Sequence, residues 1–238
     1  MAMEPWEGSA RIYDVLYGQM KDYEADVERL HTWIQARKPG AATLLDVACG
    51  TGLHIERLKQ FYEAEGVDLS EAMLAIATDR NPDVTFHLGD MRHFELEKRF
   101  DAVTCLFSAI GYMPDTDSLA RAINNMARHL VPGGALILEP WLDVDGWSDG
   151  HLDLMTYDSE DLKVARMSAG ERVGDRVTIN FHHMVMTPDG VNYFAEDHPT
   201  TLFSTDEYRA ALEAAGLSVD YDPDGFIGRG MWFGTKDV

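Results

Sequence analysis

Leu44-Leu45-Asp46-Val47-Ala48-Cys49-Gly50-Thr51-Gly52 is the stretch that decides the fold. Leu44 to Ala48 form a short apolar run with one polar residue, and Gly50 and Gly52 break it at once. Past Gly52 the apolar spacing becomes helical, with Ile55, Leu58 and Phe61 expected on one face. This predicts a buried strand, a tight glycine turn and a crossover helix, the opening unit of a doubly wound sheet. Ligands of such sheets bind outside the carboxyl ends of the strands, where glycine lets them approach the backbone. Ala64 to Asp68 reads as the next strand, and Asp68 stands at its tip, where an acidic residue can hold a ribose. The ligand is therefore of nucleoside type. Ile55 occupies the place of the third glycine of the dinucleotide fingerprint, so a dinucleotide and another adenosine compound both remain open at this point.

Composition narrows the partners. The 238 residues, 45% of them hydrophobic, suit one α/β domain carrying an insertion. Acidic residues number 41 against 20 basic ones, and the net charge of −21 repels phosphate backbones, which argues against nucleic acid as a partner. The two cysteines, Cys49 and Cys105, make no disulfide framework, and a reduced, cytoplasmic protein is expected. Glu4, Trp6 and Glu7 stand where a signal peptide would carry basic and then apolar residues. No apolar stretch approaches the roughly 20 residues that span a bilayer, so no membrane association is expected.

Along the chain, helices are expected over Ser9–Tyr17 and Tyr23–Arg37, with Pro39-Gly40 closing the second. The link between them, Gly18 to Tyr23, looks too polar for a core. Tyr13, Tyr17 and Tyr23 either fold over the ligand mouth as a lid or pack the helices on the sheet. Ser70 caps a helix that Pro82 ends; Val84–Leu88 is the third strand, followed by Gly89-Asp90-Met91. Phe100–Phe107 is the fourth strand, Thr116–Leu130 a helix stopped by Pro132-Gly133-Gly134, and Leu136–Pro140 the fifth strand. Asp143, Asp145, Gly146, Asp149 and Gly150 announce a loop. Period-two stretches follow at Leu162–Met167, Arg176–Met186 and Val191–Ala195, a small antiparallel sheet with a turn at Pro188-Asp189-Gly190. A helix over Thr205–Ala215 and two edge strands, Leu217–Tyr221 and Met231–Gly234, complete the chain. The division expected is 1–140 for lid helices and ligand-binding core, 141–203 for the inserted sheet on the substrate side, and 204–238 for the closing helix and strands.

Asp46 to Gly52, Asp68 and Gly89-Asp90-Met91, in that order, resemble the class I S-adenosylmethionine-dependent methyltransferases. The resemblance implies a Rossmann-like, mostly parallel seven-stranded sheet with a small antiparallel insertion, and S-adenosyl-L-methionine as cofactor. Such chemistry needs a bound sulfonium, exclusion of water and a nucleophile held in line with the methyl–sulfur bond, without a metal. No His, Cys or carboxylate arrangement supports a tetrahedral metal site. Residues at the strand tips and lid that could meet an amine are Tyr13, Tyr112, Glu139 and His182 or His183, the two histidines otherwise reading as a solvated pair on a β-face.

A closer resemblance rests on Ala10 to Asp14, Gly18 to Tyr23, the Cys49 turn, Phe107 to Tyr112, Glu139-Pro140-Trp141, Thr201-Leu202-Phe203 and Gly228-Arg229-Gly230. Together these look like the N,N-dimethyltransferases of nucleotide-linked amino sugars, over nearly the whole chain. What this implies is cofactor contact by Tyr23, Ala48, Gly50, Leu69, Met91 and Phe107, with Asp68 at the ribose and Asp90 at the adenine. It places Tyr13 and Tyr112 beside the sugar amine as the catalytic pair, Trp141 along the sugar and Arg229 at the diphosphate. Leu142 replaces the second tryptophan of many relatives. The expected substrate is a TDP-deoxyaminosugar of antibiotic biosynthesis, methylated twice, with no essential general base; a homodimer is the candidate assembly. The alternatives are N-methylation of another small amine or a finished natural product, and a methyltransferase-like fold that binds without catalysis.

Overall fold

Seven short runs of apolar and β-branched residues line up side by side because helices on both faces cover them. The structure, a computed structural model, describes residue 6 and residues 8–237; Glu4 and Glu7 lie outside the described residues. The core strands are β1 (Thr43–Val47), β2 (Glu63–Asp68), β3 (Thr85–Leu88), β4 (Phe100–Cys105), β5 (Leu130–Leu138), β10 (Leu217–Asp222) and β11 (Met231–Lys236). Their spatial order is β10-β11-β5-β4-β1-β2-β3. β3 to β5 run parallel through β2, β1 and β4, while β11 lies antiparallel to β5 and β10 antiparallel to β11. Leu44, Leu45 and Val47 are fully buried, as a strand covered on both faces requires. The order reverses beside β1, which puts the ligand crevice between the tips of β1 and β4.

Among the described residues, six α-helices flank the sheets: α1 (Ala10–Tyr17), α2 (Tyr23–Arg37), α3 (Leu53–Leu58), α4 (Glu71–Arg80), α5 (Thr116–Arg128) and α6 (Thr205–Ala214). Local chemistry sets their ends. The carboxylates of Asp22 and Asp115 and the hydroxyl of Ser70 accept N-terminal amides, and Ser204 with Glu207 closes a full capping box. Three expectations fail here. α3 stops at Leu58, so Phe61 leaves the buried face, is 43% exposed and stacks on His31. Pro132-Gly133-Gly134 lies inside β5 instead of before it, because a register irregularity between Phe100 and Ala102 accommodates the extra residues against β4. β4 ends at Cys105, two residues early, as Phe107 and Ser108 enter left-handed backbone at φ 53° and 62°.

The inserted sheet has four antiparallel strands in the order β6 (Leu152–Asp158), β7 (Lys163–Val173), β8 (Arg176–Thr187) and β9 (Gly190–Thr201). The sequence patterns place no strand over β6, which lies between the aspartate-rich loop and Leu162, and β9 extends six residues beyond Ala195 through Pro199 to Thr201. β9 is an edge strand, where the missing proline N–H is tolerated. Ile12 and Leu16 of α1 pack on Val164, and the buried Arg166 donates to the Tyr17 hydroxyl at 2.6 Å. These contacts hold α1 between the inserted sheet and the cofactor-side strand tips.

Candidate active site

After β1 the chain turns through left-handed backbone at Ala48, Gly50 and Gly52, with φ of 59°, 55° and 74°. A side chain at Gly50 would meet nothing within 4 Å, so its backbone faces open space. Asp68, at the tip of β2, accepts the Gly50 N–H and the Ser70 N–H, each at 2.8 Å. Burial pushes its carboxyl above the usual range, and these amide bonds work against that push. Gly50 and Ala48 line a narrow cleft together with Tyr13, Tyr23, Thr51 and Phe107. An open glycine turn braced by a buried acceptor at the next strand tip fits the nucleoside and methionyl ends of S-adenosylmethionine.

The roof of this cleft is α1. Asp14 accepts the Thr51 hydroxyl at 2.6 Å and pairs with Arg80, which also donates to the Thr51 carbonyl. Tyr13 stacks near Tyr17 (4.6 Å) and Phe107 (6.3 Å), and Trp6 packs edge-on against Tyr13 at 5.2 Å and Tyr112 at 6.2 Å. Tyr13 and Tyr23 therefore line the mouth, while Tyr17 packs α1 against Phe107 and the inserted sheet. The polar link before α2 exposes Gly18, Gln19, Met20 and Asp22, as its polarity suggests, but it buries Lys21, and Tyr23 is buried at the start of α2. The Lys21 ammonium reaches Asp26 and His54, each at 3.2 Å, and sits 4.6 Å from the Phe107 ring centre. Burial, with Lys21 adding to it, drives His54 down to about 4, so it is neutral at pH 7. A lysine in a glycine-led polar stretch gave no sign of this; only α2 folding back over α3 creates the pocket.

Toward the inserted sheet, Tyr112 closes the short 3₁₀ turn Ala109–Tyr112. A Cβ on Gly111 would lie 2.6 Å from that of Trp141, so glycine lets the two segments touch. Arg229 lies over the Trp141 ring at 4.8 Å and within 3.4 Å of the Ser108 hydroxyl. Burial lowers its pKa, and the Glu139 carboxylate offsets part of that. Glu139 is a brace: it accepts the Phe107 N–H at 2.6 Å and so fixes the left-handed turn after β4. Burial raises its pKa, with Lys21 opposing.

The remaining expected residues divide. Asp90 accepts the Arg92 N–H at 2.8 Å and is gripped by the Arg92 guanidinium, which holds its pKa below the usual carboxylate range. Leu69 is 69% exposed at the rim, and Met91 is half-buried beside the main core. The histidines are not a solvated pair. His182 is exposed and meets the Tyr193 hydroxyl, whereas His183 is buried on the opposite face, stacked on Phe194, and burial drives it down to about 4.

Two residues missed in the sequence join the site. His198 Nδ1 lies 2.7 Å from the Tyr112 hydroxyl, and its Nε2 lies 3.4 Å from Glu196. Burial pushes the hydroxyls of Tyr13 and Tyr112 well above the ordinary phenol value, so both are neutral at pH 7.

A family profile described as "Methyltransferase domain" matches residues 44–134, the span from β1 into β5. The dTDP-3-amino-3,6-dideoxy-alpha-D-glucopyranose N,N-dimethyltransferase of Streptomyces fradiae is 41% identical over 228 residues, covering 94% of this chain and 89% of its own. The crystal structure of Streptomyces venezuelae DesVI is 40% identical with a TM-score of 0.91, over 95% of this chain and 98% of that one. CalS10 of Micromonospora echinaspora, an amino pentose methyltransferase solved with S-adenosylmethionine bound, is 37% identical with a TM-score of 0.85, over 94% and 96%. The fold and site thus define a class I methyltransferase. Within that class, the chain belongs to the N,N-dimethyltransferases of dTDP-linked amino sugars.

Proposed function

We propose that the protein transfers methyl groups from S-adenosylmethionine, twice in succession, to the amine of a dTDP-deoxyaminosugar in antibiotic biosynthesis, as a cytoplasmic enzyme. One observation carries the reading: Tyr13 lines the same cleft as the Gly50 turn, and Trp6 joins Tyr13 to Tyr112 on the side of the Arg229–Trp141 pair. That arrangement supports residues 1–140 and 204–238 as the cofactor core and 141–203 as the substrate wall. Asp68 would hold the ribose through the lone pairs its two amide bonds leave free, and Asp90 the adenine amine beside its bond to Arg92. Tyr23, Ala48, Leu69, Met91 and Phe107 would frame the rest of the cofactor. Arg229 is the cation for the diphosphate, which a chain of charge −21 must supply locally.

When bound, the cofactor supplies an electrophilic methyl group on a sulfonium. The chain holds a neutral amine in line with it and keeps water out. As the nitrogen–carbon bond forms, the carbon–sulfur bond breaks with its electron pair on sulfur, and the proton left on nitrogen goes to water. Tyr13 and Tyr112 are the hydroxyls beside the amine. Neither is a phenolate at neutral pH, which agrees with catalysis by alignment instead of by a strong base. The test is incubation with S-adenosylmethionine and a panel of dTDP-aminosugars, read by mass spectrometry. Two methyl additions to at least one sugar are expected; methylation of free amines alone would replace this reading.

A further inference from the structure

Tyr112 and His198 come together from the turn after β4 and from the far strand of the inserted sheet. The contact is one end of a buried chain. Glu196 is fully buried, and its carboxylate accepts the Gly8 N–H at 2.7 Å, the Ser9 N–H at 2.9 Å and the Ser9 hydroxyl at 2.6 Å. Its Oε2 also lies 3.4 Å from His198 Nε2. An ionised carboxylate only accepts hydrogen bonds, so a neutral His198 carries its proton on Nε2. Nδ1 is then the acceptor, and the Tyr112 hydroxyl donates to it across 2.7 Å. With its proton committed to His198, the phenol oxygen is an acceptor only; Trp6 supplies it one donor, and the lone pair that remains is the one a substrate amine can use. His198 itself is 1% exposed and enclosed by Trp6 at 4.4 Å and Phe181 at 4.6 Å, so the ring has no room to flip. Among the described residues, other ionisable groups nearby include His183, 3.8 Å from Glu196, Arg166 across the Phe181 ring, and Tyr17 toward Tyr112.

We propose that Glu196 and His198 are positioning residues that fix the direction of the Tyr112 hydroxyl, so that its oxygen accepts an N–H of the substrate amine and leaves the amine lone pair aimed at the methyl group. The inference rests on the reading of the site as an aminosugar N-methyltransferase. It differs from a purely structural role, in which the same bonds merely tie residues 8 and 9 to the inserted sheet.

The test is a double-mutant cycle on the single-turnover methyl-transfer rate, with His198→Leu and Tyr112→Phe. Each alone should lower the rate about tenfold, and the double variant should be no slower than either, because the dyad acts through one hydroxyl. KM for the sugar nucleotide and affinity for S-adenosylmethionine should stay near wild type. His198→Asn, which keeps an oxygen acceptor close to the Nδ1 position, should recover most of the rate. Losses that multiply in the double variant, or a wild-type rate in His198→Leu, overturn the proposal. If His198→Leu does not fold, Glu196→Gln takes its place, and it must slow the enzyme that has Tyr112 but not the Tyr112→Phe enzyme. A wild-type protein that methylates no dTDP-aminosugar would overturn the functional reading itself; an active wild type with indifferent variants overturns only the positioning.

Discussion

Asp68 braces the amides of Gly50 and Ser70, and the proposed function gives the same carboxylate a second role at the ribose. Asp68→Ala is expected to weaken S-adenosylmethionine binding by about 1–3 kcal/mol, the cost of leaving buried polar groups unpaired. Calorimetry that finds unchanged affinity in a folded variant would remove Asp68 from the cofactor site. Arg229 is proposed to serve the other ligand. Its face rests on Trp141, so its donors can turn to a phosphate without losing that support. Arg229→Ala should raise KM for the sugar nucleotide by an amount equivalent to about 1.5–3 kcal/mol and leave cofactor affinity alone. A joint fall in both affinities would reassign it to the packing of the β10–β11 connection. Tyr13→Phe should cost about tenfold in kcat, or about 1.4 kcal/mol, because the hydroxyl aligns the amine without taking its proton. A loss of ~10²–10⁴-fold, typical of a missing general base, would make Tyr13 that base.

The elements that hold these side chains differ in how openly the sequence declares them. β1, its turn and Asp68 were legible because strand, glycines and acid lie close together and the chemistry is local. The inserted sheet was only partly so. β6 mixes Leu152, Leu154, Met155 and Tyr157 on both faces, so it lacks the alternation that marks a strand, and the aspartates before it look like a loop. The end of β9, Glu196-Asp197-His198-Pro199, reads as polar and proline-broken, yet it pairs with β8 from Asn180↔Asp197 to Thr178↔Pro199. That extension carries Glu196 and His198 to Tyr112, a meeting across 86 residues that no local pattern encodes. The same extension ties down the start of α1, and acid should loosen it. Burial alone would raise the Glu196 pKa, but bonds from His198, Ser9 and Gly8 bring it from 4.5 to about 2. A carboxyl held lower in the folded than in the unfolded chain stabilises the fold above the unfolded value and ceases to do so as pH falls through the folded one. Wild type should therefore lose stability between about pH 4.5 and about 2 more steeply than Glu196→Gln does. Parallel acid-unfolding curves would contradict the anchoring of α1 through Glu196.

At the scale of the whole molecule, the parallel core places a cofactor crevice at the tips of β1 and β4, and the inserted sheet with α1 builds a second wall above it. No described helix is long and apolar enough to cross a membrane. The charge of −21 is unusual for an enzyme of an anionic substrate, and it makes local cations such as Arg229 and the buried Lys21 matter more than the overall field. Relatives in this family act on differently substituted sugars, a 3-amino-3,6-dideoxyglucose in one case and an amino pentose in another. The wall formed by Trp141, Leu142 and the aspartates after it is where this chain would make its own choice. The central claim is that a nucleotide-linked sugar amine receives the methyl groups. It is tested most directly by incubating the protein with S-adenosylmethionine labelled in its methyl group and a dTDP-aminosugar, with the same aminosugar lacking its nucleotide as control, and locating the label by tandem mass spectrometry. Two labelled methyl groups are expected on the sugar nitrogen of the dTDP-linked substrate, with little transfer to the free sugar. Label on oxygen or carbon, or equal transfer to the sugar without its nucleotide, would contradict it.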